Sequence, residues 1–308
     1  MTKNQDTPMT RRNTPRISFI GFGEAGQAIA SGLRDEGILE ITAWDILFPV
    51  AEGARLKAAG DAMGVRLARS AADAVRETDL IVSAVTAASS YDAAQSVAEH
   101  LSGNPYYLDI NSVSPGRKQA TAKLLAGRAR YVDVAVIAPI HPARHKTPLL
   151  VAGPHGEEIS PLLRELAMTL TVVGTDTGHA AAIKMIRSVM IKGIEALTLE
   201  CFLAAARAGV LDEVTASLKN NYPGVDWPKM SEYNLERMAS HGERRAAEME
   251  ESAATLRELG LDPLMVDATV ARQREMGAIG KNEAVRATLH SGRSAMLDAI
   301  SAAKKDRN

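Results

Sequence analysis

Hydrophobic residues follow two successive patterns along the chain. Between residue 16 and about residue 175, short β-rich apolar runs alternate with Ala-rich stretches of helical length. These runs predict strands at 16–22, 40–44, 64–68, 79–85, 106–110, 130–137, 148–153 and 170–174. Strands that alternate with helices favour βαβ units. The pattern therefore predicts an α/β domain with a doubly wound, mostly parallel sheet over residues 16–175.

From residue 176 onward the strand pattern is replaced by helical spacing. Apolar residues recur every three or four positions along one stripe, which predicts a long helix: Ile183, Ile186, Met190, Ile194, Leu197 and Cys201. The opposite side is also partly apolar, which is typical of a helix buried between domains or subunits. Breaks at 221–228 and 259–263 divide the remaining helical sequence. Residues 176–308 are expected to form an all-helical substrate and dimerisation domain of a homodimer.

Composition narrows the possible partners and location. A formal net charge of −1 argues against binding to nucleic acid or an anionic membrane. No apolar run approaches the roughly 18 residues of a membrane span. Cys201 is the single cysteine, which excludes an intrachain disulfide and fits a reducing compartment. Residues 1–15 are polar and read as a disordered tail rather than a signal peptide. A cytoplasmic protein with a small-molecule substrate is therefore expected.

A glycine-rich turn follows the first predicted strand. The turn consists of Gly21, Phe22, Gly23, Glu24, Ala25 and Gly26, and a helical stretch begins directly after it. In such a strand–turn–helix unit the first glycine permits a tight turn, the second lets the backbone approach a pyrophosphate, and the third lets the helix pack on the strand. The helix N-terminus attracts the phosphates. The turn predicts a Rossmann-type dinucleotide site.

Other residues of the predicted cofactor site lie at the ends of later strands. Asp45 ends the second strand, where a carboxylate accepts the ribose hydroxyls and repels a 2′-phosphate. We therefore expect NAD, with NADP as the alternative. Val85 and Thr86 end the fourth strand and are expected beside the cofactor ribose. Asn111 and Ser112 follow the fifth strand, at the sheet edge where open α/β sheets bind ligands.

Three further sequence blocks carry a resemblance to a known family. They are "DINSVSP" at 109–115, "DVAVIAPIHPARHKTPLLVAG" at 133–153 and "GHAAAIK" at 178–184. With the glycine turn, they resemble the β-hydroxyacid dehydrogenases, the group of 3-hydroxyisobutyrate and 6-phosphogluconate dehydrogenases. The helical part is similar to a less characterised branch of that group. The resemblance implies that Lys184 is the catalytic lysine. It also implies roles at the reacting centre for Ser188, Asn111 and Ser112.

The chain departs from the family pattern where the substrate carboxylate is bound. The family has Ser-Gly-Gly at the positions of Ile137, Ala138 and Pro139, and Pro139 offers no backbone N–H. The usual small 3-hydroxy acid is therefore in doubt as the substrate. Residues that could contact a different substrate are Ile137, Pro139, His141, Arg244 and Arg245. The two arginines are of the type that binds a carboxylate or a phosphate.

Two histidines, His141 and His145, lie four residues apart in a loop that contains three prolines. They are expected either to contact substrate or to be exposed loop residues. No carboxylate or cysteine neighbour completes a ligand set around them, so no metal is expected.

The sequence thus predicts an NAD(P)-dependent oxidoreductase that acts on a β-hydroxy acid or a related alcohol. The cofactor carries the hydride chemistry, and Lys184 handles the hydroxyl proton. Two other functions stay open. Imine reductases share this architecture but often lack the lysine, and a cofactor-binding sensor would perform no reaction.

Overall fold

The computed structural model describes residues 14–305. Most of the predicted tail, residues 1–13, lies outside the described residues. The chain divides into two compact units, Met1–Lys184 and Met185–Asn308. The division falls inside a long helix, whereas the sequence predicts it at 175/176. Each unit is described separately below.

The first unit contains one eight-stranded sheet. The strands are β1 Ile17–Ile20, β2 Ile41–Trp44, β3 Arg66–Leu67, β4 Leu80–Ser83, β5 Tyr106–Asp109, β6 Arg130–Val136, β7 Leu149–Ala152 and β8 Leu170–Gly174. Their order is β3-β2-β1-β4-β5-β6-β7-β8. All neighbouring pairs are parallel except β6 with β7, which are antiparallel. The predicted mostly parallel sheet is confirmed.

Alternate residues of the central strands enter separate cores on the two faces of the sheet. Phe19 and Leu108 belong to one buried cluster, and Ile20 and Tyr107 belong to the other. Because successive side chains of a strand point to opposite faces, a sheet buried on both sides requires near-continuous apolar runs. The doubly wound architecture follows from the runs that the sequence displays.

Six helices accompany these strands: α1 Glu24–Asp35, α2 Ala54–Ala62, α3 Ala71–Ala74, α4 Ser90–Ala98, α5 Pro115–Leu124 and α6 Gly156–Glu165. The start of α5 is set locally. The Ser114 side chain accepts a hydrogen bond from the Arg117 N–H, and Pro115 occupies the first turn, where its missing N–H is tolerated. α5 begins directly after the 109–114 segment and therefore orients that segment at the carboxyl edge of the sheet.

The remaining helices are α7 His179–Ala208, α8 Leu211–Asn221, α9 Trp227–Glu258, α10 Leu264–Ile279, α11 Glu283–Ala287 and α12 Arg293–Lys305. Both predicted breaks coincide with helix ends. α9 and α10 pack closely because Gly242 faces Gly277. A Cβ on Gly242 would lie 2.3 Å from the Gln273 carbonyl oxygen, so only glycine permits this approach. Within residues 14–305, no helix combines the length and apolar character needed to cross a bilayer.

The apolar stripe of α7 is solvent-exposed in this chain. Its most exposed members are Met190 at 65% and Leu197 at 58%. The buried side of the same helix carries polar residues such as Ser188, Lys192 and Glu195 alongside apolar ones such as Leu199 and Phe202. The apolar stripe that the sequence predicts is therefore present on α7 but faces solvent. The side of α7 that faces the core of the second unit is partly polar.

Candidate active site

The glycine turn has the geometry of a dinucleotide cradle. Gly21 has a φ of +92°, and a Cβ there would lie 2.4 Å from the Ala84 carbonyl oxygen. A Cβ on Gly26 would lie 2.6 Å from the Gly21 carbonyl oxygen. Both positions therefore require glycine for internal packing. Around Gly23, by contrast, a Cβ would meet nothing within 4 Å.

The open space at Gly23 fits a pyrophosphate. α1 begins with Gly23 as its N-cap, and glycine offers no side-chain oxygen to the first helical N–H groups. These groups, together with the helix dipole, favour an anion at this end of the helix. The residues present therefore fit a dinucleotide cofactor. They would hold its phosphates through the backbone of Gly23, Glu24 and Ala25.

The Phe22 side chain takes no part in this cradle, because it is fully buried and packs edge-on against Phe19 and Phe48. Only its backbone can face a ligand. Glu24 is exposed in the first turn of α1.

Asp45 ties the glycine turn to the loop after β2. One carboxylate oxygen accepts a hydrogen bond from the Phe22 N–H at 2.7 Å, and the other accepts from the Leu47 N–H at 3.0 Å. A carboxylate has about four lone-pair sites, so each oxygen can still accept a ribose hydroxyl. The predicted ribose site is thus compatible with the structural role of Asp45 in the turn.

Asn111 connects the ends of β4 and β5. Its Oδ1 accepts from the Val85 N–H at 2.7 Å, and its Nδ2 donates to Ser83 Oγ at 2.9 Å and to Asp109 Oδ1 at 2.8 Å. The side chain is buried. Both Nδ2 hydrogens are engaged, so a ligand would contact Asn111 through the second lone pair of Oδ1 or by replacing one of these bonds. Thr86 is exposed, and its hydroxyl donates to Ser89.

Lys184 and Ser112 are brought together. The Lys184 Nζ donates a hydrogen bond to Ser112 Oγ at 2.5 Å, although the two residues are 72 positions apart in sequence. Both side chains are half-buried. Ser112 follows β5 and Lys184 lies in the second turn of α7. An amine and a hydroxyl are thus within hydrogen-bond reach at the carboxyl edge of the sheet. Such a pair can exchange a proton with a substrate hydroxyl.

Ser188 lies one turn after Lys184 on α7 and is buried. The Lys192 Nζ lies 3.5 Å from Ser188 Oγ and donates to a Glu248 carboxylate oxygen at 2.7 Å. Burial lowers the pKa of Lys192, and the Glu248 carboxylate opposes that shift. Neither Lys192 nor Glu248 is a candidate site residue from the sequence, because charged residues on long helices are normally solvent-exposed.

The loop after β6 holds the residues that replace the family's Ser-Gly-Gly. Ile137 is half-buried, while Pro139 and His141 are exposed. His145 is not the exposed loop residue that one of its two expectations describes. It is buried against α1, where a Cβ on Gly32 would lie 1.9 Å from its ring. His145 therefore anchors the loop to α1 through the space that Gly32 leaves.

We expect His145 to make the first unit sensitive to acid. Burial lowers the pKa of His145, with Glu36 partly opposing the shift. A buried imidazole with a depressed pKa stabilises the fold above its unfolded pKa of about 6.5, and that stability is lost as the pH falls. His145→Gln should therefore make the free energy of unfolding fall less between pH 7.5 and pH 5.5 than it does in the wild type.

This difference is measured by urea unfolding followed through Trp44 fluorescence in a Trp227→Phe background. His100→Gln, a change at an exposed histidine, is the matched control. An unchanged pH dependence in His145→Gln would contradict the prediction.

The two predicted substrate arginines have different surroundings. Arg245 is buried and forms an ion pair with Glu195, which also accepts a hydrogen bond from Gln273. Its guanidinium is therefore committed to the interior of the second unit. Arg244 is exposed and lies 4.0 Å from Glu248. Burial lowers the pKa of nearby His241, and Arg237 and Arg244 add to the shift.

The first unit also contains a buried charge cluster that the sequence does not predict. It consists of Asp109, Lys118 and Asp133. Asp109 and Asp133 are the first residues of the 109–115 and 133–153 blocks that resemble the family, so the sequence could have indicated them as candidates. Nothing in the sequence around Lys118 indicates that it is buried. Among the described residues there is no group of His, Cys, Asp or Glu arranged to hold a metal ion.

Two family models match the chain. The NAD binding domain of 6-phosphogluconate dehydrogenase matches residues 16–174, and a domain of unknown function, DUF1932, matches residues 205–276. A conserved hypothetical protein from Sinorhizobium meliloti 1021 is 35% identical in sequence. The alignment covers 94% of this chain and 97% of that one, with a TM-score of 0.76.

Enzymes of known type share the fold at lower identity. A 3-hydroxyisobutyrate dehydrogenase from Mycobacterium tuberculosis, solved with L-serine, is 16% identical with a TM-score of 0.69, covering 96% of this chain and 100% of that one. A reductive aminase from Aspergillus terreus, solved with NADPH4, cyclohexanone and allyl amine, is 18% identical with a TM-score of 0.53, covering 93% and 99%. At these identities the likeness shows the fold alone.

Proposed function

The chain belongs to the family described as the NAD binding domain of 6-phosphogluconate dehydrogenase, and from this premise we propose that it oxidises a β-hydroxy acid or a related alcohol with Lys184 as general acid and base. Family and fold support a hydroxyacid dehydrogenase-like, NAD(P)-dependent function. The bound nicotinamide would accept or supply the hydride. The protein must then hold the substrate hydroxyl and manage its proton.

The observation that carries this proposal is the hydrogen bond from Lys184 Nζ to Ser112 Oγ at 2.5 Å. Its location at the carboxyl edge of β5 is where an open α/β sheet binds ligands. In the oxidation direction, a neutral Lys184 amine accepts the substrate hydroxyl proton. In the reduction direction, the Lys184 ammonium donates it. Ser112 orients the amine and can donate a hydrogen bond to the same substrate oxygen.

The substrate is expected to differ from a small 3-hydroxy acid. Ile137 and Pro139 stand where the family binds a carboxylate through Ser-Gly-Gly, and they offer an apolar surface with one N–H fewer. A substrate with an apolar substituent next to the reacting carbon suits this replacement. Arg244 is the exposed candidate for an anionic group of the substrate, whereas Arg245 is already paired with Glu195.

A screen of hydroxy acids tests the function directly. Aldonic, aromatic and branched hydroxy acids are incubated with NAD or NADP, and reduced cofactor is followed by absorbance at alkaline pH. Turnover of at least one hydroxy acid supports the proposal. Tight NADH binding without any turnover across the panel would favour a cofactor-binding sensor instead.

An imine reductase is the second candidate, because the fold is shared with a reductive aminase. Retention of Lys184 beside Ser112 argues for the dehydrogenase, since the resembling imine reductases often lack the lysine. A panel of ketones with amines, followed by consumption of NADH and of NADPH in separate assays, distinguishes the two. Faster C=N reduction than alcohol oxidation would favour the second candidate.

NAD is proposed as the preferred cofactor because the Asp45 carboxylate would repel a 2′-phosphate. Asp45→Asn retains an oxygen for the Phe22 N–H but removes the charge. We expect the ratio of the Kd for NADPH to the Kd for NADH to fall about tenfold, corresponding to about 1.4 kcal/mol. Titration of both cofactors by fluorescence measures this ratio. Asp61→Asn, at an exposed carboxylate on α2, is the control. An unchanged ratio would show that Asp45 does not determine the preference between NAD and NADP.

We also propose that the chain is a homodimer that buries the exposed apolar stripe of α7. An apolar stripe of this kind on a surface marks an interaction site. The double variant Met190→Glu/Leu197→Glu is expected to sediment as a monomer at micromolar concentration, whereas the wild type sediments as a dimer. Leu261→Glu, equally exposed but off α7, should leave the dimer intact. A monomeric wild type would refute the prediction.

The exposed thiol of Cys201 fits a reducing, cytoplasmic location.

A further inference from the structure

Two carboxylates lie side by side in the interior of the sheet. Asp109 ends β5 and is paired in register with Asp133 of β6. Both side chains are fully buried. Burying two like charges together is strongly unfavourable unless cations and hydrogen-bond donors compensate them. The arrangement therefore requires a partner that the sheet itself does not supply.

Lys118 of α5 is that partner. Its side chain is fully buried, and the Nζ lies 3.2 Å from Asp109 Oδ1 and 3.5 Å from Asp133 Oδ1. It also donates to the backbone carbonyl oxygens of Asp109 and Val134. A single ammonium thus joins the end of β5 to the middle of β6.

Asp133 holds the start of the helix that carries Lys184. Its Oδ2 accepts hydrogen bonds from the Gly178 N–H at 3.0 Å and the Ala181 N–H at 3.2 Å. These are among the orphan donors of the first turn of α7, and the helix dipole favours a carboxylate there. Gly178 has a φ of +99°, and a Cβ on it would lie 3.0 Å from Pro115. The start of α7 is therefore fixed close to the segment that contains Ser112.

Asp109 fixes the segment that contains Ser112, the hydrogen-bond partner of Lys184. Its Oδ1 accepts from the Asn111 backbone N–H at 3.0 Å and from the Asn111 side chain at 2.8 Å, and its Oδ2 accepts from the Tyr131 hydroxyl at 2.8 Å. Burial and the Asp109 charge raise the pKa of Tyr131 well above its ordinary value, so its hydroxyl remains a donor. Ser112 follows Asn111 directly, so its backbone is set by these bonds.

We propose that Lys118, by joining Asp109 to Asp133, is a positioning residue for the Lys184–Ser112 pair. The inference rests on the proposed function only for the role of that pair in turnover. Without the ammonium, the two carboxylates repel, and the start of α7 and the segment after β5 are no longer held in one arrangement. A displacement of about 1 Å at a reacting centre can cost about 100-fold in rate.

The test replaces Lys118 with methionine, which keeps an unbranched side chain of nearly the same length and removes the ammonium. Lys123→Met is the matched control, because Lys123 lies on the same helix and is exposed. With a substrate found in the screen, Lys118→Met is expected to lower kcat at least tenfold while KM changes less than threefold. The Kd for NADH is expected to stay within twofold, because the glycine turn lies on β1 and α1.

A second readout does not require a substrate. Acylation of Lys184 by a water-soluble active ester is quantified by peptide mass spectrometry. The wild-type amine is half-buried and bonded to Ser112, so it should react slowly. In Lys118→Met its rate should rise several-fold, while the rate at exposed Lys123 of the same protein stays constant. This readout tests the role of Lys118 even if no hydroxy acid is turned over. Absence of turnover would contradict the proposed function and leave the positioning role of Lys118 to be decided by the acylation rates.

A double variant separates an effect of Lys118 on the Lys184–Ser112 pair from an effect on folding. In Lys118→Met/Asp133→Asn one buried carboxylate is removed with the ammonium, and the Asn oxygen can still accept from the Gly178 N–H. Slow Lys184 acylation and part of kcat should return. Wild-type acylation and kcat in Lys118→Met would overturn the proposal. Loss of the folded state in both the single and the double variant would also overturn it, because Lys118 would then act on folding alone.

Discussion

Replacing Lys184 with alanine is expected to lower kcat for alcohol oxidation by about two to four orders of magnitude, the usual contribution of a positioned general acid or base. The physical reason is the loss of the amine that donates to Ser112 Oγ at 2.5 Å. Binding of NADH should be unchanged, because the glycine turn and Asp45 are left intact. Stopped-flow turnover and fluorescence titration measure the two quantities separately.

Lys123→Ala is the control for this substitution, since it removes an exposed lysine of the first unit. Added primary amines should restore part of the Lys184→Ala activity, because they supply the missing proton acceptor. Alcohol oxidation at the wild-type rate in Lys184→Ala would show that the acid/base role belongs to another group. Loss of NADH binding in the same variant would assign Lys184 to the cofactor site instead.

Gly23→Ala is expected to weaken NADH binding by about 10- to 100-fold without lowering Tm. Its φ of −73° suits any residue, and a Cβ there meets nothing of the protein within 4 Å. The new methyl group would instead occupy the space for the pyrophosphate. Losing one hydrogen bond to a charged group costs about 1.5–3 kcal/mol, which corresponds to that range of affinity.

Gly21→Ala provides the contrast within the same turn. A Cβ at Gly21 would lie 2.4 Å from a backbone oxygen, and the φ of +92° is strained for alanine. This variant should therefore lose stability as well as affinity. Isothermal titration with NADH and thermal unfolding distinguish the two cases. Wild-type NADH affinity in Gly23→Ala would place the phosphates elsewhere.

The candidate site was only partly predictable from the sequence. The glycine turn and Asp45 could be assigned because strand, turn and helix are contiguous and each glycine has a local reason. The proximity of Lys184 to Ser112 was implied by resemblance, since 72 residues separate them and no local pattern encodes the contact. His145 illustrates the limit. Its burial depends on the absence of a side chain at Gly32, which lies on a distant helix.

By itself, the sequence determined the alternation of strands and helices, the two-sided burial of the sheet and the cofactor turn. These depend on the spacing of apolar residues and on backbone freedom, which act over a few residues at a time. Only the tertiary structure decided that Asp109 and Asp133 are neighbours, that Lys118 lies between them, and that Asn111 is engaged by Val85. These contacts depend on the tertiary structure because a buried charge is tolerated only where segments distant in sequence together supply its partners.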